Sequence, residues 1–265
     1  MNHRIAEVFR NQSLDHPLLV AFAVAGDPDY QTSLRIMREM EAAGVGIIEL
    51  GLPFSDPVAD GPVIQRADIR AMEAGMNTDR LFDLVREFRT TSTTPVALLT
   101  YTNLVMRRGI SRFYRDAAES GIDAVVIADL PYEESTPFRV AAAEKGIDQI
   151  LMISPTTSPK RLSLILKEAS GFIYLVAVMG VTGTRSGVDP DAVRLLQEAM
   201  KQTRVPVAPG FGISSSAQIR EWADAGARAV IVGSALVRKI EENPGDPDKI
   251  VSEIGSLVRS MIQKS

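Results

Sequence analysis

Short apolar runs recur along the chain at residues 18–26, 47–54, 95–101, 124–131, 149–155, 172–178, 205–213 and 229–235, each broken by Gly, Pro or Asp. They are rich in β-branched residues and nearly unbroken in apolar character. That is the pattern of parallel strands covered on both faces. Between them the apolar positions fall at helical spacing, as at Ile36, Met37, Met40 and Ala43, and again at Ile254, Leu257, Val258 and Met261. Gly44, Gly75, Gly121, Gly146, Gly171 and Gly226 stand where helices would end on a left-handed residue. A further helix precedes the first strand, near residues 5–12. Eight strand–helix units in 265 residues predict an α/β fold, a single (β/α)8 TIM barrel domain spanning 1–265 with an extra N-terminal helix. An open doubly wound sheet is the alternative.

Composition narrows the chemistry. Apolar residues make up 45% and charged residues 23%, ordinary for a water-soluble globular chain. A net charge of −4 lacks the basic surface that general nucleic-acid binding needs. The absence of cysteine removes disulfides, thiolate catalysis and cysteine metal sites. His3 and His16 both precede the first strand, so no metal centre is expected. The N-terminus has no apolar leader, and no apolar run is long enough to span a bilayer, so the cytoplasm is the expected location.

A barrel of this kind carries its site at the C-terminal ends of the strands. The second run reads Ile47-Ile48-Glu49-Leu50-Gly51, and alternation puts Glu49 on the face of Ile47 and Gly51. If Ile48 and Leu50 pack under helices, Glu49 points into the barrel. A carboxylate there is costly unless it is paired with a neighbouring strand or used. The long loop that follows carries Asp56 and Asp60. Asp60, before Gly61 and Pro62, reads either as a helix N-cap or as a second catalytic carboxylate on the same rim. Glycine-bearing segments at Gly180–Gly183, at Gly210-Phe211-Gly212-Ile213-Ser214 and at Gly233-Ser234 close the barrel. The last two follow strands seven and eight, where barrels bind phosphate on backbone N–H groups. The hydroxyls of Ser214 and Ser234 are further donors there. Every lysine falls in a helical segment or the tail, which excludes a strand-end Schiff base. Carboxylate acid–base catalysis remains, with Tyr101 or Tyr174 in support.

The run from Glu49 to Pro62, Glu-Leu-Gly-Leu-Pro-Phe-Ser-Asp-Pro-Val-Ala-Asp-Gly-Pro, resembles the signature of the tryptophan synthase α chain family. Gly180-Val181-Thr182-Gly183, Gly210-Phe211-Gly212-Ile213-Ser214 and Gly233-Ser234-Ala235 are similar to its other motifs, in the same order. Tyr101-Thr102-Asn103 and Ala128-Asp129-Leu130-Pro131 are similar too, so the resemblance covers essentially the whole chain. It implies a lyase of tryptophan biosynthesis that cleaves indole-3-glycerol phosphate to indole and glyceraldehyde 3-phosphate. Glu49 would then be the acid–base catalyst, with Asp60 bonding the indole N–H. Phe22, Tyr101, Asp129, Tyr174 and Thr182 would bind substrate, Thr182 orienting Asp60 from a lid after strand six. Gly183, Gly212, Ile213, Gly233 and Ser234 would hold phosphate. The resemblance also implies a tryptophan synthase β chain as partner in an α2β2 heterotetramer, met through Phe54, Asp56, Pro57 and Asn103. Pyridoxal phosphate (PLP) would belong to that partner, and this chain would need no cofactor. The sequence departs from the family at Val176-Ala177-Val178-Met179, where relatives carry a polar residue, and at Pro209.

Two other readings remain. One is a different phosphate-binding barrel, such as an isomerase of a phosphorylated sugar–aromatic conjugate. The other is a non-catalytic barrel that only activates a partner; an intact Glu49 and Asp60 argue against it. Phe54 and Asp56 also have plain alternatives, in core packing and an ordinary turn.

Overall fold

Each predicted apolar run coincides with a strand of the computed structural model, which describes residues 2–13, 16–177 and 188–262. The strands are β1 (Leu18–Val24), β2 (Ile47–Gly51), β3 (Val96–Thr100), β4 (Ala124–Ile127), β5 (Asp148–Ile153), β6 (Ile173–Val176), β7 (Val207–Gly210) and β8 (Ala229–Val232). All pair in parallel, in the order β7-β6-β5-β4-β3-β2-β1-β8, with helices between them. The return of β8 to β1 curls the sheet into the expected (β/α)8 barrel and excludes the open doubly wound alternative. At the seam β7 and β8 lie side by side, with no ladder between them among the described residues. Pro209 stands on β7, where a missing N–H costs the ladder least.

The predicted runs overshoot the C-terminal ends of the strands. Leu52, past β2, is buried, as is Ile213, past β7. Apolar character reports burial, and these residues stay buried after the backbone has left the ladder. The predicted glycines all have positive φ; Gly121, for instance, ends the helix Ile110–Ser120 at φ 92°. No described helix is long and apolar enough to cross a membrane.

The extra helix forms at His3–Asn11 and buries Ile5 and Phe9. It lies across the starts of β4, β5 and β8. There the Asn2 N–H donates to Asp148 (2.6 Å), Arg4 to Asp123 (2.8 Å) and Arg228 to the Phe9 carbonyl (2.5 Å). This closes the N-terminal mouth and leaves the C-terminal mouth for function. Asp123 is fully buried and also accepts from Arg89 (2.6 Å) and from the Val96 N–H (2.9 Å). Arg89→Ala withdraws a nearly buried cation from that carboxylate, so it should lower the unfolding free energy by about 3 kcal/mol. Urea denaturation measures this; a loss under about 1 kcal/mol would mean that Arg4 and the amide suffice.

Candidate active site

Strand alternation puts Ile47, Glu49 and Gly51 on one face of β2. In register beside Glu49 stand Phe22 of β1 and Ala97 of β3, and beside Gly51 stands Leu99. A Cβ on Gly51 would come within 2.8 Å of the Phe22 ring, so this face is the packed barrel interior. Glu49 is fully buried there, and neither carboxyl oxygen has a hydrogen-bond partner among the described residues. The salt-bridge reading of Glu49 is therefore set aside. Burial, and secondarily the charge of Asp60, pushes its pKa up to about 8. At neutral pH the group is an undissociated acid.

Asp60 is held differently. Tyr101, just past β3, donates its hydroxyl to Asp60 Oδ2 at 2.6 Å and accepts the Ala59 N–H at 3.2 Å. The Asp60 N–H reaches the Pro57 carbonyl at 2.9 Å, closing the loop on itself. The N-cap of the helix Pro62–Glu73 is Gly61, with no side-chain cap bond, so Asp60 is not the predicted cap. Burial raises the Asp60 pKa, and the Tyr101 hydrogen bond pulls it back toward the ionised form. A third carboxyl, Asp68 on the same helix, is pushed up to about 8 by burial and then by Asp60 and Asp27.

A cavity of about 300 Å³ opens at this mouth. Phe22, Leu99, Tyr174 and Ile231 line it with apolar surface, and Asp60 and Ile64 stand on one side. Phe211, Gly212, Gly233, Ser234 and Arg238 also line it. A Cβ at Gly210 would sit 2.8 Å from the Tyr174 hydroxyl oxygen, so only glycine lets the β7 loop close over that ring. Burial and the two carboxyls raise the Tyr174 pKa well above its usual value, keeping it a neutral hydroxyl. Gly233 is the N-cap of the helix Ser234–Glu242 and supplies no side-chain cap, which leaves the opening amides for a ligand.

The structure thus gathers Phe22, Asp60, Tyr174, Gly212, Gly233 and Ser234 around the cavity, with Glu49 buried behind the lining, near enough to Asp60 and Tyr174 for their charges to interact. Other expected residues fall elsewhere. Tyr101 is not among the cavity-lining residues; it grips Asp60, and Leu99 is the β3 residue in the wall. Asp129 is exposed, and its Oδ1 accepts from the Thr102 N–H (2.7 Å) and hydroxyl (2.9 Å), so it positions the chain after β3. Ile213 is buried beside Trp222 in a separate small cavity, and the Ser214 N–H and hydroxyl turn to Gln218. Thr182 and Gly183 lie outside the described residues. Asp56 and Asn103 are exposed on the rim, Pro57 and Phe54 are half-buried, and the Phe54 ring packs 5.2 Å from that of Tyr101. Sequence reasoning missed Val63, Ile64, Leu99, Ile231 and Arg238, and gave Phe211 only as part of the glycine motif after strand seven. Leu99 and Ile231 were legible from alternation, and Arg238 from its place one helical turn after Ser234. Among the described residues no cluster of His, Asp or Glu suits a metal ion.

Comparison with known proteins decides the family. The profile of the tryptophan synthase alpha chain matches residues 9–265. The chain belongs to the tryptophan synthase alpha chain family. A member from Methanoregula boonei is 45% identical, covering 98% of both chains. One from Methanothermobacter thermautotrophicus is 44% identical over 97% of this chain and 94% of its own. Among solved structures, the alpha chain from Legionella pneumophila superposes with a TM-score of 0.88 at 32% identity, covering 98% of this chain and 96% of that one. A Pyrococcus furiosus structure, described as a tryptophan synthase α2β2 complex, gives 0.87 at 37% identity over 94% and 98%. The family cleaves indole-3-glycerol phosphate in tryptophan biosynthesis.

The buried acid has a signature in stability. The Glu49 pKa rises from 4.5 to about 8 on folding, so the folded chain binds this proton more tightly than the unfolded chain. Its stabilising effect is complete below about pH 4.5 and is lost as pH rises toward 8. Glu49→Gln removes the proton. The variant should therefore gain on the parent by up to about 1.4 kcal/mol per pH unit across that window. Urea midpoints at pH 5 and pH 8 check this; parallel curves would mean that Glu49 is not buried as an acid.

Proposed function

We propose that this chain cleaves indole-3-glycerol phosphate to indole and glyceraldehyde 3-phosphate with Glu49 and Asp60 as its catalytic pair. The observation that carries this reading is the contrast between them: Glu49 with no hydrogen-bond partner among the described residues and pushed up to about 8, Asp60 held by a donor that favours its charge. Glu49 gives its proton to indole C3. The positive charge that develops on the ring nitrogen is met by Asp60 at the N–H. The Glu49 carboxylate then takes the proton of the adjacent glycerol hydroxyl. The carbonyl forms as the carbon–carbon bond breaks, the bonding pair returns to the ring, and Glu49 is reprotonated. Phe22, Leu99 and Tyr174 suit an aromatic ring, and Phe22 is the register neighbour of Glu49, so a ring against it abuts the acid. The backbone of Gly212 and Gly233 with Ser234 receives the phosphate. The scheme asks for no cofactor and suits a cytoplasmic enzyme with a diffusible substrate.

Glu49→Gln should lower indole release by about 10²–10⁴ while substrate binding persists. Wild-type turnover should fall as pH rises past about 8, where Glu49 loses the proton it must donate. Single-turnover assays across pH read both effects, and near-normal cleavage by the folded variant would remove Glu49 from the mechanism.

The same reading gives the chain a β-chain partner, in which the pyridoxal phosphate chemistry occurs. The relative from Pyrococcus furiosus is described as a mutually activating α2β2 complex. Here Phe54, Asp56, Pro57 and Asn103 share the rim with exposed apolar side chains, Val58 at 82% and Met106 at 55%. The Pro57 carbonyl holds the Asp60 N–H, so docking on this loop acts on the catalytic carboxylate through one short segment. Asp56→Ala should weaken stimulation by a β chain more than it lowers the basal rate. Indole formation titrated with sub-saturating β chain tests this, and undiminished stimulation would move the coupling route elsewhere.

A further inference from the structure

Among the described residues that line the cavity, Asp60 is the one carboxylic acid and Arg238 the one cation. Arg238 lies four residues after Ser234 on the helix Ser234–Glu242, so the two share a helix face, and both line the cavity with Gly212 and Gly233. Its basic neighbours are spoken for: Arg70 pairs with Asp27 and Lys239 with Glu242. Arg238 makes no ion pair within 4 Å among the described residues; its charge reaches Glu241 only through space, as a lesser influence than Arg66 on that carboxyl's lowered pKa.

The carboxylate placed to capture it is Glu241, one turn along the same helix. Arg66, reaching across from the helix Pro62–Glu73, occupies both oxygens of that carboxylate: its Nε meets Oε1, and its Nη2 meets Oε2 at 3.0 Å. A fork-on-fork pair of this kind satisfies the carboxylate in its plane.

On the proposed cleavage reaction, we infer that Arg238 is the charge-selecting residue for the phosphate end of the substrate, and that the Arg66–Glu241 pair keeps it free for that task. The opening amides of the helix and the Ser234 hydroxyl supply hydrogen bonds but no formal charge. A phosphate monoester carries close to two negative charges at neutral pH. Arg238 supplies an exposed cation at the cavity mouth, where its flexible stem can swing over the anion. The reacting bond lies at the other end of the substrate, beside Glu49. The charge acts equally on ground and transition states, so it sets KM rather than kcat.

Steady-state cleavage of indole-3-glycerol phosphate by the full chain, at low and high ionic strength, tests the inference. Arg238→Ala should raise KM about five- to tenfold at low salt, change kcat less than twofold and flatten the salt dependence of KM. Arg238→Lys should recover part of the loss. Arg66→Ala should raise KM about threefold by releasing Glu241 onto Arg238, and Glu241→Gln should restore it. In the Arg238→Ala background, Arg66→Ala should have no further effect. A merely structural role for Arg66 would predict the opposite: a rise that persists without Arg238. An unchanged KM in Arg238→Ala at low salt overturns the inference while leaving the cleavage reaction intact. Binding of a non-cleavable indole-alkyl phosphate, titrated beside the same compound without phosphate, reads the charge contact independently of catalysis. Only the phosphate form should weaken in Arg238→Ala, and equal weakening of both would overturn the inference. If instead the wild type releases no indole yet shows this selectivity, the cleavage reading fails and the anion contact stands.

Discussion

Glu49 sits on an interior strand with a fully buried carboxyl that no described donor reaches. Ionising it there would leave a bare charge among Phe22, Ala97 and the surrounding apolar wall, a cost that burial converts into a raised pKa. The barrel carries this penalty because eight paired strands and their helices surround the position. The acid is therefore undissociated before any ligand arrives, which is the state the proposed cleavage asks of it. Much of the site can be understood as what an uncharged acid needs around it: an apolar wall to hold a ring, and a second carboxyl kept from becoming its twin.

That second requirement is met by a chain of contacts that begins outside the cavity. Asp129, on the loop after β4, clamps the amide and hydroxyl of Thr102. The neighbouring Tyr101 is thereby fixed at the end of β3, from which its hydroxyl reaches both Asp60 and the Ala59 amide. Phe54 packs on the same tyrosine ring. Two motifs that look like substrate contacts in the sequence thus form a scaffold for one carboxylate. The loop carrying that carboxylate is also the exposed rim of the molecule, so the same few residues connect the outer surface to the charge state of the site.

On the other side of the cavity, the loops after β7 and β8 contribute mostly backbone. Phe211 adopts φ 75° between two glycines, and its ring stands 6.0 Å from Tyr174. Gly233 opens a helix with no side-chain cap. These features place donors without placing charge, which leaves Arg238 and the Arg66–Glu241 pair to set the electrostatic character of that end.

The sequence by itself determined the barrel, because eight apolar runs separated by helical stripes have few other ways to bury both faces of every strand. It also singled out Glu49, since alternation along one strand is a local property, and the glycines after strands seven and eight, whose chain positions name the mouth they line. Tertiary structure alone decided what these residues are chemically. Tyr101 and Asp60 are 41 positions apart, and Arg66 and Glu241 are 175 apart, so no local pattern announces either bond. Whether Asp60 caps a helix or faces the cavity turned on the path of one loop, and the structure gives the cap position to Gly61. Asp129 and Ser214 have the composition of ligand-binding residues, yet their hydrogen bonds go to Thr102 and Gln218. Composition and spacing carry burial and periodicity. A pKa or a hydrogen-bond partner depends on distances across space, which exist only once the strands have closed.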